Sequence, residues 1–204
     1  MRDLEDALSD IKTLRSQLAR STRFRGYSAS AFATTGLLAI GAAGLQSALL
    51  PGPDIDLYGY VALWAITAAL AVAIIGIDVV ARSRRDHAGL ADEMIYAALE
   101  QLLPAGVAGA LLTCVIVRFA PAQGWMLPGL WQILLSLGVF ASCRSLPTPL
   151  VTLGVWYLST GLVCLAIGTS VPPLLPWAMG LTFGVGQLLA AALIHKYGGG
   201  DGDE

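Results

Sequence analysis

Charge is what this chain is short of. Only 13% of its 204 residues are charged while 56% are hydrophobic, about half the charged share of an ordinary soluble domain. A soluble fold could not cover that much apolar surface. Histidine is scarcer still: His87 and His195 are the only two, and neither sits in a HExxH motif or beside a cysteine cluster, so the spacing supports no metal site. Cys114, Cys143 and Cys164 lie far apart in or at the edge of apolar runs, with no CxxC and no disulfide framework, and read as buried packing residues. The chain lacks GxSxG, a phosphate-cradling glycine loop and an Asp-rich motif, which leaves catalysis without a nucleophile arrangement to start from. A non-enzyme with no cofactor is the expectation. With a net charge of −2 and basic residues scattered at loop ends, nucleic-acid binding has no footing either.

What the chain has instead is a succession of apolar runs, each about the 20 residues a transmembrane helix needs. They fall at 27–50, 58–81, 91–118, 128–144, 150–169 and 176–197, separated by prolines and short charged turns. The fold class is therefore all-α: a polytopic membrane helix bundle of six transmembrane helices, preceded by an amphipathic cytoplasmic helix. Residues 1–25 form that helix, 26–197 the six-span domain, and 198–204 a disordered acidic, Gly-rich tail. No cleavable signal peptide is expected, because an acidic and then basic helix precedes the first apolar run. Lys and Arg gather in the N-terminal segment, the 82–87 turn, Arg144 and Lys196, whereas the opposite loops hold only Arg118; both termini are thereby placed in the cytoplasm. Tyr27, Tyr58, Tyr60, Trp125, Trp177 and Tyr197 lie near span ends and are assigned to the interfacial aromatic belt.

Within the N-terminal segment Leu4, Ile11, Leu14 and Leu18 share one helical stripe, and Arg20, Arg23 and Arg25 follow it. That pattern suits docking onto the lipid bilayer or onto a cytoplasmic or membrane protein partner. Small residues one turn apart, Gly180-x-x-x-Gly184 and Ala69-x-x-x-Ala73, mark close helix contacts inside the bundle or, for the sixth span, across a homodimer. Gln46, Gln132 and Gln187 read as interhelical hydrogen-bond partners. A short echo joins Thr35-Gly36-Leu37 to Thr160-Gly161-Leu162 in two odd-numbered spans.

The pointed polar residues lie at one end of the spans. Glu93, Tyr96 and Glu100 are spaced three and four apart on one face of the third span, and Pro104 cannot donate to the carbonyl of Glu100. With Asp78, Gln101 and Arg144 at the same end, these residues could build a polar pocket open to the cytoplasm, closed by a Glu100–Arg144 pair. The alternative is plain interfacial charge. Asp78 also lies one turn before Arg82 and can pair with it locally.

The stretch from Trp125-Met126-Leu127-Pro128 to Arg144, the stretch Pro176-Trp177-Ala178-Met179 to Ala191, and Phe24-Arg25-Gly26-Tyr27 resemble a group of uncharacterised multi-spanning bacterial inner-membrane proteins. The resemblance implies a multi-pass protein of the bacterial inner (plasma) membrane with six spans, and carries no activity, substrate or site residue. Two functions follow from the residues: a partner-binding or regulatory membrane protein docking through its N-terminal helix, or a small dimeric transporter or channel with a cytoplasmic vestibule near Glu100.

Overall fold

A computed structural model describes residues 28–50, 56–86, 89–142, 148–168 and 174–198, and for 82–86, 89–99, 101, 148, 197 and 198 it describes the backbone alone. The N-terminal stripe and the acidic tail lie outside the described residues. Among those described there is no strand, and six α-helices follow in order: α1 (Ala29–Leu49), α2 (Leu57–Asp86), α3 (Gly89–Phe119), α4 (Leu127–Ala141), α5 (Val151–Ile167) and α6 (Pro176–Gly198). The protein is a helical bundle, and five of its segments are long and apolar enough to cross a membrane. The exception is α5, expected as a full span at 150–169. Its 17 residues reach only about 26 Å at 1.5 Å per residue, at the lower edge of a spanning length. A second difference precedes α4, where residues 121–126, lying between the expected third and fourth spans, form a 3₁₀ helix that extends the apolar segment to Pro121–Ala141.

Polar side chains and prolines set the helix starts. The Ser28 hydroxyl accepts from the Ala31 amide, and the Asp56 carboxylate accepts from the Tyr58 and Gly59 amides at 3.2 and 2.9 Å, each satisfying donors that a first helical turn leaves free. Pro128 and Pro176 occupy first-turn positions of α4 and α6, where a missing N–H costs nothing. Pro104 lies inside α3, which continues through it.

Each helix packs on its neighbours in sequence, and α1 closes the ring against α6. The most extensive pairings are α1 with α6 and α4 with α5, and both are glycine crossings. A Cβ added at Gly36 would come within 3.0 Å of the Gly184 carbonyl oxygen, and one at Gly184 within 2.6 Å of Ile40. One turn away, Gly180 lies directly against Ala43. In the second pair, a Cβ at Gly161 would approach the Gly129 carbonyl oxygen to 2.8 Å, and one at Gly129 would do the same to Gly161. Backbone-to-backbone approach of this kind supplies the dispersion contact that holds helices together where lipid is as apolar as the side chains.

Two core layers fill the ring. The far layer, toward the end where α1 stops and α6 starts, holds Ala42, Ala43, Tyr60, Trp64, Leu174 and Met179. The near layer, toward the opposite end, is built around Tyr157 with Val139, Leu150, Leu153 and Ala190. Phe183 packs against both. Helix α2 joins the far layer alone: its buried side chains are Tyr60, Trp64 and Thr67, and beyond Thr67 none is fully buried up to Ala81.

Candidate functional site

Among the described residues every buried polar side chain is uncharged: glutamines, serines, threonines and the two tyrosines. The site builds from the glutamines upward. Gln46, fully buried on α1, accepts from the Trp64 indole N–H at 2.8 Å and donates its amide to the Leu174 carbonyl at 2.8 Å. It thereby ties three segments together and holds Leu174 in a left-handed conformation, φ 62°, which costs a non-glycine residue about 1–2 kcal/mol. Gln132, also fully buried, sits on α4 and donates to the Ala178 carbonyl of α6 at 3.1 Å and to the Cys164 sulfur of α5 at 3.7 Å. Its Oε1 has no partner. Gln187 on α6 receives a 3.4 Å contact from the Thr35 hydroxyl of α1. All three glutamines thus bridge helices.

The two core tyrosines complete the arrangement. Tyr60 stacks on Trp131 at 6.1 Å with nearly parallel planes and meets Trp64 obliquely at 6.4 Å, so its ring is fixed by aromatic contact. Its hydroxyl is buried without a hydrogen-bond partner. Tyr157 packs obliquely on Phe183 at 5.2 Å, and its hydroxyl lies directly against Gly186 and within range of the Gln187 side chain, though outside ideal hydrogen-bond geometry. The indoles differ: Trp131 donates to Thr113 on α3 at 2.8 Å and Trp156 to the Thr182 carbonyl of α6 at 3.0 Å. The interior is thus satisfied wherever it ties helices together. It is open at two atoms, the Tyr60 hydroxyl and the Gln132 oxygen.

Tyr60 was expected in the interfacial belt but is wholly buried, unlike Tyr58, which is exposed. The signal that finds it is spacing: Tyr60, Trp64 and Thr67 lie on one face of α2. Cys114, expected to be buried, is exposed, on an α3 face turned from the bundle. Cys143 lies outside the described residues.

The expected polar pocket is only partly described. Arg144 lies outside the described residues, as do the side chains of Glu93, Tyr96 and Gln101. Glu100 is exposed, just outside the apolar segment Leu102–Phe119. Leu102, Ala105, Gly109 and Thr113 face α4; at 3.6 residues per turn Glu100 lies roughly 160° around the helix from Leu102. That placement gives a Glu100–Arg144 pair across α3 and α4 no support. Asp78 is half-buried and makes a contact of its own, on the α2 line that carries Tyr60, Trp64 and Thr67. Gly180 and Gly184 lie in the α1–α6 crossing, whereas Ala69 and Ala73 are exposed. No group of three or more potential metal ligands occurs among the described residues. No known protein family matches the chain, and no curated protein or solved structure does either.

Proposed function

We propose that the protein provides a transmembrane path for a small uncharged solute and that the described conformation is a closed one. One observation carries this reading: the ring encloses an uncharged polar interior in which two buried atoms, the Tyr60 hydroxyl and Gln132 Oε1, lack partners, with Phe183 packed on both core layers. A buried polar atom left unpaired costs about 1–3 kcal/mol, so a sequence that keeps two has a use for them. Amide and hydroxyl groups match a neutral solute, whose hydrogen bonds to water they can replace in kind, better than an ion, whose burial costs several kcal/mol. In this reading the protein is a multi-pass protein of the bacterial inner membrane with both termini cytoplasmic.

Stopped-flow shrinkage of proteoliposomes against glycerol, urea and sucrose tests the proposal. Glycerol or urea should equilibrate faster than in protein-free vesicles, sucrose should not, and Phe183→Ala should accelerate the permeant solute. No solute-dependent difference from protein-free vesicles would sink the reading. A second reading, binding of a partner helix in the membrane, draws on a different observation: Ala69, Ala73 and Gly76 leave an exposed small-residue face on α2. Loss of a co-purifying membrane protein on Ala69→Leu/Ala73→Leu, with solute flux at the protein-free level, would favour it. The N-terminal stripe and a homodimer gain no observation from the described residues.

A further inference from the structure

The two glycine crossings are equivalent, and the difference between them isolates Gln132. One constant shift in numbering carries Thr35, Gly36 and Ile40 of α1 onto Thr160, Gly161 and Leu165 of α5. Another carries Gly184, Gln187 and Leu188 of α6 onto Gly129, Gln132 and Ile133 of α4. The contacts follow the same shifts. A Cβ at Gly36 would meet the Gly184 oxygen, Gln187 Cβ at 3.2 Å and Leu188 Cγ at 3.3 Å. A Cβ at Gly161 would meet the Gly129 oxygen, Gln132 Cβ at 3.1 Å and Ile133 Cγ1 at 2.9 Å. Gly184 meets Ile40, and Gly129 meets Leu165. The α1/α6 and α4/α5 pairs are therefore two copies of one packing unit with a glutamine at the same place in each.

The glutamines are treated differently. In the first unit Thr35 shares its proton between the Phe32 carbonyl at 2.8 Å and the Gln187 Oε1 at 3.4 Å. In the second, Thr160 turns to the Trp156 and Tyr157 carbonyls of its own helix at 2.9 and 3.3 Å, and Gln132 Oε1 keeps no donor. The counterpart of Ala39 is Cys164, whose sulfur receives the Gln132 amide and so holds the carboxamide in place. From α2 the Tyr60 ring, stacked on Trp131, the residue before Gln132, and packed in one cluster with Met179, the residue after Ala178, brings a second buried, unpartnered group, a hydroxyl able to donate, into the same layer.

We propose that Gln132 Oε1 and the Tyr60 hydroxyl form a binding site, in the far core layer, for one small uncharged molecule carrying adjacent donor and acceptor groups: water or a simple primary amide. The molecule donates to Gln132 and accepts from Tyr60. The site is one level of the path proposed above and rests on that reading for its purpose, but its test needs no flux.

Thermal unfolding of the detergent-purified protein decides it, with Tyr60→Phe, Gln132→Met, the double variant, and 50 mM acetamide as added probe. Tyr60→Phe removes one oxygen at nearly constant shape. With an occupied site it lowers Tm by about 2–6 °C, and the double variant loses less than the sum of the two singles. A Tm raised by acetamide in the wild type and unmoved in Tyr60→Phe identifies an amide occupant; a Tm unmoved by acetamide in both, with Tyr60→Phe still destabilising, identifies water. The proposal fails if Tyr60→Phe leaves Tm unchanged or raises it, as removal of a hydroxyl with nothing to bond must do, or if the singles simply add. That failure leaves the flux measurement standing, and absent flux leaves this site standing.

Discussion

Replacing Gly180 by Ala tests the fold at its tightest described contact. An added Cβ would overlap the Ala43 methyl, and Ala43 is fully buried, with no flexible side chain to yield. Relief must come from the backbones: two carbons rest at about 3.5–4.0 Å, so α1 and α6 must part by roughly 1–1.5 Å at this level. A gap of that size weakens the dispersion contact along the crossing, including Gly36 against Gly184 one turn away, and overpacking of this kind costs about 1–3 kcal/mol. Against it stands the helix propensity of alanine, which gains about 0.8–1.0 kcal/mol over glycine.

The propensity gain is removed by comparison with Gly41→Ala and Gly106→Ala, positions where an added Cβ meets nothing within 4 Å. Those controls should be neutral or slightly stabilised, and the difference from Gly180→Ala should equal the overpacking cost. For a protein of this size that difference is roughly 2–12 °C in Tm, measured by tryptophan fluorescence during heating in mild detergent. Gly184→Ala should behave like Gly180→Ala, since its Cβ would lie 2.6 Å from Ile40, although the Ile40 side chain can rotate and soften the effect. Equal Tm values for Gly180→Ala and Gly41→Ala would refute the packing of α1 on α6, and with it the closed ring.

Gln46→Leu should cost more than its volume suggests, because it strands both the Trp64 indole N–H and the Leu174 carbonyl; a loss of about 2–5 kcal/mol is expected, read as the same Tm shift, while a loss under about 1 kcal/mol would mean the two groups find other partners. Glu100→Gln should change stability by less than about 0.5 kcal/mol, as for other exposed positions, and should leave solute flux in proteoliposomes unaltered; a large effect on either would restore a role to the Glu100 level.

The helices were legible in the sequence because hydrophobic length and proline placement act locally. Span boundaries at 50, 58, 128 and 176 follow from runs and breaks that need no tertiary information. Small-residue spacing likewise pointed to Gly180 and Gly184, since only glycine and alanine let backbones approach. What the spacing could not supply was the partner: Gly36, Ala39 and Ala43 are as small as their neighbours Gly41 and Gly44, and only the ring decides which of them meets α6. The glutamines were recognisable as bridging groups, but the orphaned Gln132 oxygen follows from where Thr160 turns its hydroxyl, a choice between an own-helix carbonyl and a neighbouring side chain. Tyr60 misled for a related reason. Its distance from the span end suited an interfacial aromatic, and only its register with Trp64 and Thr67 placed it on the inward face. Sparse charge made Glu100 conspicuous in the sequence, yet a charged side chain two residues outside an apolar segment needs no partner there.

For the proposed path, where the charge lies limits which solutes would suit it. Asp78 is half-buried on the line of α2 that carries Tyr60, Trp64 and Thr67, so a cation could be drawn toward the near end of that line. Farther along it the side chains are Thr67, Trp64 and Tyr60, none of them charged, with the Gln46 amide bonded to Trp64. Hydrogen bonds to such groups return about 1 kcal/mol each, while stripping an ion of water costs several kcal/mol beyond what a few neutral dipoles restore. A neutral molecule meets a smaller deficit, because bonds it gives up to water can be replaced in kind at Gln132 and Tyr60. The unpaired atoms that burden the closed bundle are therefore of the kind that a small neutral solute can satisfy and that an ion cannot use to offset its lost hydration.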